Sequence, residues 1–514
     1  MRKTMDMATE LLTSSHLYPW AVFGLVAVLL LFNSTLSDPL SKVPGPWYTR
    51  WTELVAKYYW VTGQKASYVQ ELHRKYGPIV RVAPREVYIA DPTAVQNVFR
   101  IKNEFPKSQW YMDFVPFNET VFNTPDIVVH RRFRRLLSSP LSESGLKTFL
   151  PQIQHKVNLA IQGMEEEYKT RGAADVYKWW LFMTTDVIGE LSFGESFRML
   201  ESGKINQYIS DLQSVGKIGS YRSAFPSIYR FSVRFGIPLP LLSKAQLYTH
   251  RIRSYSTDLL NRHRAIVDQD GVDARPTVFS KVYKAQSDES ISPTDVRNNA
   301  QAYIVAGSDT TSNTLSYLVW AVCQNPEIKS RLVKEVEILS NDFTYDDMRQ
   351  IHLPYLEHVI DETLRRFPAV PSGLPRRVPE GGAELCGHHI PAGYTVTTQT
   401  YSLHRNDKAF PDPENFDPSR WENPTQAMKD AFMPFGGGSR GKSLTLFLAI
   451  RPVKQICIGL HLAKIELRLG VARFFKAFPN AKVSSLEGMN DQDMSPNLFF
   501  LVAPQGHRCL INLH

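Results

Sequence analysis

The sequence predicts a mostly α protein with a small β region, preceded by an N-terminal transmembrane helix. Three observations carry that expectation. An apolar run opens the chain, only one short early pair of segments alternates like strands, and long stretches beyond it repeat apolar residues at helical spacing between prolines that start and stop them.

Residues 11–37 carry no formal charge, and residues 17–32 (LYPWAVFGLVAVLLLF) are almost continuously apolar. That is close to the length a bilayer core requires, and Tyr18 and Trp20 suit its interface. No strongly basic leader and no small-x-small cleavage site accompany the run, so it reads as a retained anchor rather than a cleaved signal, with a buried core helix as the rival. Lys42, Arg50 and Lys57 follow it, whereas Arg2 and Lys3 before it are offset by Asp6 and Glu10. The positive-inside bias therefore puts the globular portion in the cytosol. Pro39, Pro44 and Pro46 then make a stiff connector, because proline fixes its own φ and biases its predecessor away from helix.

Residues 66–76 predict a helix closed by Gly77, and IVRV (79–82) with VYIA (87–90) predicts a strand pair. Helical periodicity follows through 147–169, 179–191 and 245–267. The clearest long helix takes Ser292 as N-cap and Pro293 as its first residue and runs to Asn325, where Pro326 stops it; at 1.5 Å per residue it spans roughly 50 Å. Another opens at Pro354 and ends before Pro368, with Leu356, Val359, Ile360, Leu364 and Phe367 as one apolar stripe. Extended residues return at 384–399, and a last helix follows Cys457.

Of the 514 residues 43% are hydrophobic and 21% charged, the balance of a globular protein with a sizeable core. The net charge of +9 favours acidic surfaces such as anionic lipid or an acidic partner protein, but it is too dispersed to argue for nucleic acid. Cys323, Cys386, Cys457 and Cys509 are scattered without a CxxC pair, which fits a reducing compartment.

The most specific chemical signal is FGGGSR (435–440) paired with CIGLHLAKIEL (457–467). Glycines let a backbone turn sharply against a flat ligand, and a thiolate at a helix start is stabilised by free N–H groups and the helix dipole. A lone cysteine is more often an inert buried thiol, but three further motifs shift those odds. AGSDTT (306–311) places an acid and hydroxyls inside an otherwise apolar helix, where Thr310 can bond back to the Ala306 carbonyl and open a groove. Glu362 and Arg365 lie three apart on one helical face; alone, such a pair is usually solvated, but FDPSRW (416–421) follows with Arg420. HRRFRR (130–135) sets His130 and Arg134 one turn apart, with Arg131 and Arg135 on an adjacent face.

In these motifs and their order the chain resembles the cytochromes P-450 from about Pro44 to its end, and DVIGELSFGESF (186–197) and YGPIVRVAP (76–84) look most like membrane-anchored filamentous-fungal members of secondary metabolism. The resemblance implies the fold of that family around haem b (iron protoporphyrin IX), with Cys457 as axial iron ligand and Phe435, Gly459 and Arg440 shaping the cofactor loop. It implies that Asp309 and Thr310 are catalytic, relaying protons, and that Glu362, Arg365 and Arg420 form a structural cluster. His130 and Arg134 then cap the haem propionates, as does Arg376 of LPRRVP, with Arg377 as the alternative.

The resemblance also implies electrons from NADPH through an NADPH-cytochrome reductase, a lipophilic small-molecule substrate, no nucleic acid, and an endoplasmic reticulum membrane location. Arg131 and Arg135, on the adjacent face, could offer charge to an acidic electron donor, with a plain basic helix surface as the rival. The apolar, proline-broken run 235–242 could dip into the membrane, with core packing as the rival. Residues 105–126 and 205–242 are the segments expected to line the pocket. In domain terms, residues 1–16 are a lumenal segment, 17–36 the anchor, 37–48 the hinge and 49–514 the haem domain.

One departure stands out. The family places one residue between the loop arginine and the cysteine, but here residues 441–456 intervene. The extra stretch 441–455 (GKSLTLFLAIRPVKQ) reads as a translated intron, since Gly441-Lys442-Ser443 can be encoded across a GTAAGT donor and Gln455 by CAG. The rival is a real insertion in a catalytically impaired paralogue. A haem-thiolate isomerase or dehydratase is a further alternative, against which the Asp309 and Thr310 pair counts.

Overall fold

The computed structural model describes residues 22, 38–99, 105–115, 119–237, 240–270, 277–278, 292–437 and 456–514. The anchor, the insertion 441–455 and Arg440 lie outside the described residues, apart from Val22. Among the described residues no helix is long and apolar enough to cross a membrane.

The fold is mostly helical, as expected. Lys65–Tyr76 (α1) ends where Gly77 takes φ +99 and donates its N–H to His73 at 2.9 Å, a conformation open to glycine. Ile79–Ala83 (β1) and Glu86–Ile89 (β2) pair antiparallel. Later come Ile127–Ser138 (α2), Leu150–Arg171 (α3), Val176–Phe193 (α4), Gln207–Ala224 (α5) and Pro240–Asp270 (α6).

The long helix Pro293–Gln324 (α7) starts as expected, with Ser292 and Asp295 forming a reciprocal capping box. It packs most extensively on α4, and Gly307 permits the approach, since a Cβ there would meet Ile188 at 2.8 Å. Pro354–Arg366 (α8) buries all five residues of its apolar stripe, and Leu460–Ala477 (α9) follows the cysteine.

Far along the chain, Leu374–Arg377 (β3) and Thr395–Thr398 (β4) join the first two strands in one sheet of order β1-β2-β4-β3. β2 and β4 are parallel, and β3 returns antiparallel on β4 with Arg376 opposite Val396. The extended region expected at 384–399 is thus a short hairpin (Ala383–Leu385 with His388–Ile390) followed by β4. One core joins the long helices, and a second packs the sheet.

Candidate haem and proton-relay site

The two halves of the cysteine motif meet in space. The Cys457 N–H donates to the Phe435 carbonyl at 3.0 Å, although twenty-one residues separate them in sequence. Gly459 is the N-cap of α9, so the cysteine sits just before a helix start. Its side chain keeps exposed surface yet is closely surrounded by protein. That desolvation raises the thiol pKa, while the Gly459 N–H and the Arg134 charge draw it down. The Phe435 ring packs half-buried against the main core.

Helix α2 brings its basic residues beside this loop. Asp126 caps it, accepting from the N–H groups of Val128 and Val129. Arg134 donates to the Ile456 carbonyl at 2.6 Å, one residue before the cysteine. His130 is pushed down to about 3 by burial and by the nearby cations Lys107, Arg134, Arg376 and Arg131. Arg376 is buried on β3 while Arg377 is exposed, so the first of the two arginines joins the cluster. Its guanidinium lies 5.4 Å from the Phe99 ring centroid and 5.9 Å from that of Tyr111. Lys107, which sequence reading missed, donates to the Val121 carbonyl at 2.6 Å. Arg131 and Arg135 are exposed on the outer face.

An exposed thiol preceding a helix, flanked by a focus of cations, is a donor set that fits an iron porphyrin: soft sulfur for the metal, positive charge for carboxylates. Cys457 would hold the iron, and His130, Arg134 and Arg376 would face the propionates.

On α7, Thr310 donates its hydroxyl to the Ala306 carbonyl at 2.7 Å, as expected, within a helix that runs unbroken for 32 residues. Val305 and Ala306 present exposed surface just before it. Asp309 is closely surrounded, and desolvation pushes its carboxyl up to about 6, only partly offset by the Gln213 amide. Gln213 Nε2 donates to Asp309 Oδ1 at 3.4 Å. The neighbouring Thr311 bonds Glu466 of α9, a buried carboxyl that desolvation holds well above its usual range. Glu466 was not singled out in the sequence; an acid on a helix carries no local sign that it faces inward.

Glu362 and Arg365 are fully buried rather than solvated. Arg365 reaches the carboxylate twice, Nε to Oε2 at 2.9 Å and Nη2 to Oε1 at 2.8 Å, and Arg420 adds a contact at 3.1 Å. The Trp421 indole N–H and the Asp417 backbone N–H complete the shell. Arg365 also donates to the carbonyls of His404, Pro413 and Asn415.

His404 links this cluster to the cysteine loop. Its Nε2 accepts from the Met433 N–H at 3.0 Å and its Nδ1 lies 3.1 Å from the Arg365 carbonyl, so Nδ1 carries the proton of a neutral ring. Burial and the Arg365 charge push its pKa down to about 3. Met433 lies two residues before Phe435, which places the cluster one step from the cysteine. His404 stands in no spacing that sequence reasoning could have used, and Trp421, though it ends the FDPSRW motif, carries no local sign that its indole reaches Glu362.

Comparison with known proteins agrees with this geometry. The cytochrome P450 family model matches residues 43–510. The chain is 44% identical over 495 residues to the cytochrome P450 monooxygenase tazI of Aspergillus terreus, covering 96% of this chain and 97% of that protein. It is 40% identical over 479 residues to the cytochrome P450 monooxygenase orf2 of Aspergillus niger, covering 93% and 94%. It is 30% identical over 491 residues to the averantin hydroxylase of Dothistroma septosporum, covering 93% and 88%.

Proposed function

Since this chain belongs to the cytochrome P450 family and is an oxidoreductase of its monooxygenase kind, we propose that it inserts one oxygen atom from dioxygen into a lipophilic small molecule, an intermediate of secondary metabolism. The electrons come from NADPH through an NADPH-cytochrome reductase. The single observation that carries the reading is the Cys457 thiol beside Arg134 at the start of α9, with the Asp309 and Thr310 pair on the helix that packs against α9.

Bound haem b supplies dioxygen activation, which a thiolate ligand promotes by donating electron density to iron. The chain's own residues do the rest. Cys457 holds the metal, with Phe435 and Gly459 fixing the loop around it and Arg440 serving the same loop. His130, Arg134 and Arg376 anchor the propionates. Thr310, whose proton is engaged by Ala306, offers its lone pairs as an acceptor in the groove, and Asp309 releases a proton there and regains it from solvent. Glu362, Arg365 and Arg420 keep the loop in register. Residues 17–36 anchor the chain in the endoplasmic reticulum membrane, 1–16 facing the lumen and 37–48 serving as hinge, with residues 49–514 as one cytosolic haem domain.

A second reading concerns residues 441–455. We read them as a translated retained intron; the Cys457 N–H reaches the Phe435 carbonyl, so the described residues on either side of the stretch meet as the family loop requires. Cloning the transcript tests this directly: a message that always carries those codons overturns it.

The carbon monoxide difference spectrum of the reduced protein tests the main reading. A thiolate band in the full chain, or in the chain lacking 441–455, with none in Cys457→Ala, is the expected result. A band that persists in Cys457→Ala overturns the assignment, and a protein without a band in either form is the impaired paralogue. A band with turnover that needs no NADPH points instead to an isomerase or dehydratase.

A further inference from the structure

We propose that Gln213 is a positioning residue for the proton chemistry of this site: its side-chain amide, reaching from α5 to α7, fixes the orientation of the Asp309 carboxyl and sets how readily it holds its proton. The inference rests on the monooxygenase reading, in which Asp309 handles protons.

Helix α5 is tied down on its other sides. Near its C-terminal end, the Trp60 indole N–H donates to the Ser220 carbonyl and to Ser223 Oγ, both at 3.0 Å, and the Arg222 guanidinium reaches the carbonyls of Asp113 and Phe114. Near its start, Asp211 pairs with Arg251 of α6. Among the described residues, Gln213 makes the one side-chain hydrogen bond from α5 to α7. The amide therefore bridges a helix anchored elsewhere and the acid of the long helix. At 3.4 Å the contact is long for such a bond, so it orients the carboxyl without locking its charge.

The chemistry of the partner matters as much as its place. A cation facing Asp309 would lock it as a carboxylate, whereas an amide N–H favours the charged form only weakly. The other groups around Asp309 do not supply a cation. Tyr177 of α4 carries a phenol that burial, and secondarily the Asp309 charge, holds above its usual value. Glu466 of α9 bonds Thr311, and Thr310 bonds Ala306. Among the described residues no positive charge offsets the desolvation of Asp309, so a neutral Gln213 leaves that carboxyl able to exchange a proton in the mildly acidic to neutral range.

Infrared titration of the haem-loaded full chain reads this without a substrate. The Asp309 carboxyl stretch is the band missing from Asp309→Asn, and its midpoint is followed in the wild type, Gln213→Leu and Gln213→Lys. Gln213→Lys is expected to lower the midpoint by about one pH unit or more, as an opposite charge at contact distance does, and Gln213→Leu to raise it. Equal midpoints in all three overturn the proposal. Gln213→Asn, too short to reach, replaces Gln213→Leu if the latter does not fold, with the same upward shift expected. The carbon monoxide spectrum of each variant separates the two ideas. A thiolate band absent both from the wild type and from the chain lacking 441–455 sinks the monooxygenase reading, whereas normal bands with unmoved midpoints sink the role of Gln213 alone.

Discussion

Two carboxylates inside this protein meet opposite treatment. Glu362 accepts five N–H donors, from Arg365 twice, Arg420, Trp421 and the Asp417 backbone. Asp309 receives one amide at 3.4 Å. Burying a polar group is costly unless it is hydrogen-bonded, so the first arrangement ties its carboxyl into the fold from every side and the second leaves a group whose charge is negotiable. The difference separates a residue that holds the fold from one that can do proton work.

The largest effect should come from breaking the satisfied cluster. Glu362→Ala leaves the Arg365 and Arg420 guanidinium groups without their carboxylate, and a loss of about 3–5 kcal/mol is expected by urea unfolding, with haem content falling alongside. If the variant unfolds at the wild-type midpoint, the cluster is not a structural keystone.

Asp309→Asn should invert that pattern. Its unfolding midpoint should stay at or above the wild-type value, because an uncompensated buried acid is removed. Product formation should drop on the order of 10²-fold, the lower end of what a positioned proton donor contributes. Equal turnover in the variant would erase the contrast.

His404→Phe probes the connection between the cluster and the loop. The Met433 N–H and the Arg365 carbonyl lose their partner, which costs about 1–3 kcal/mol for a buried group left unsatisfied. Thermal unfolding should reveal it, together with slower haem uptake; an unchanged melting temperature would show that the relay through the ring is dispensable.

The last effect is a pH slope rather than a fixed loss. The Asp309 carboxyl, ordinarily near 3.8, is pushed up to about 6 in the fold, so between those values the folded state binds more protons than the unfolded one. Its contribution to stability therefore falls as pH rises from about 4 to about 6 and is flat above. The wild type should show that slope relative to Asp309→Asn, and parallel curves would sharpen the comparison against the desolvation argument.

Much of this was legible in order along the chain. The Ser292 cap with Pro293, the apolar stripe of α8, the β1 and β2 pair and the return of Thr310 to Ala306 are all local. They follow from φ preferences, capping chemistry and a 3.6-residue period that act within a few residues of one another. Cys457, Glu362 and Arg420 were found because motif order stood in for distance. The exposed Phe235 and Ile237 keep open the expectation for the run 235–242, whose remaining side chains lie outside the described residues.

What the sequence alone determined, then, is those long helices that open and close on local signals, the chemistry they can carry and the family they compose. Only the tertiary structure decided that β3 and β4 complete a sheet begun nearly three hundred residues earlier, that Arg376 rather than Arg377 turns inward, and that His404, Glu466 and Gln213 stand beside the groups that matter. The reason is physical: burial and hydrogen-bond partnership belong to pairs of surfaces, and a residue cannot announce in its own neighbourhood which distant surface will cover it.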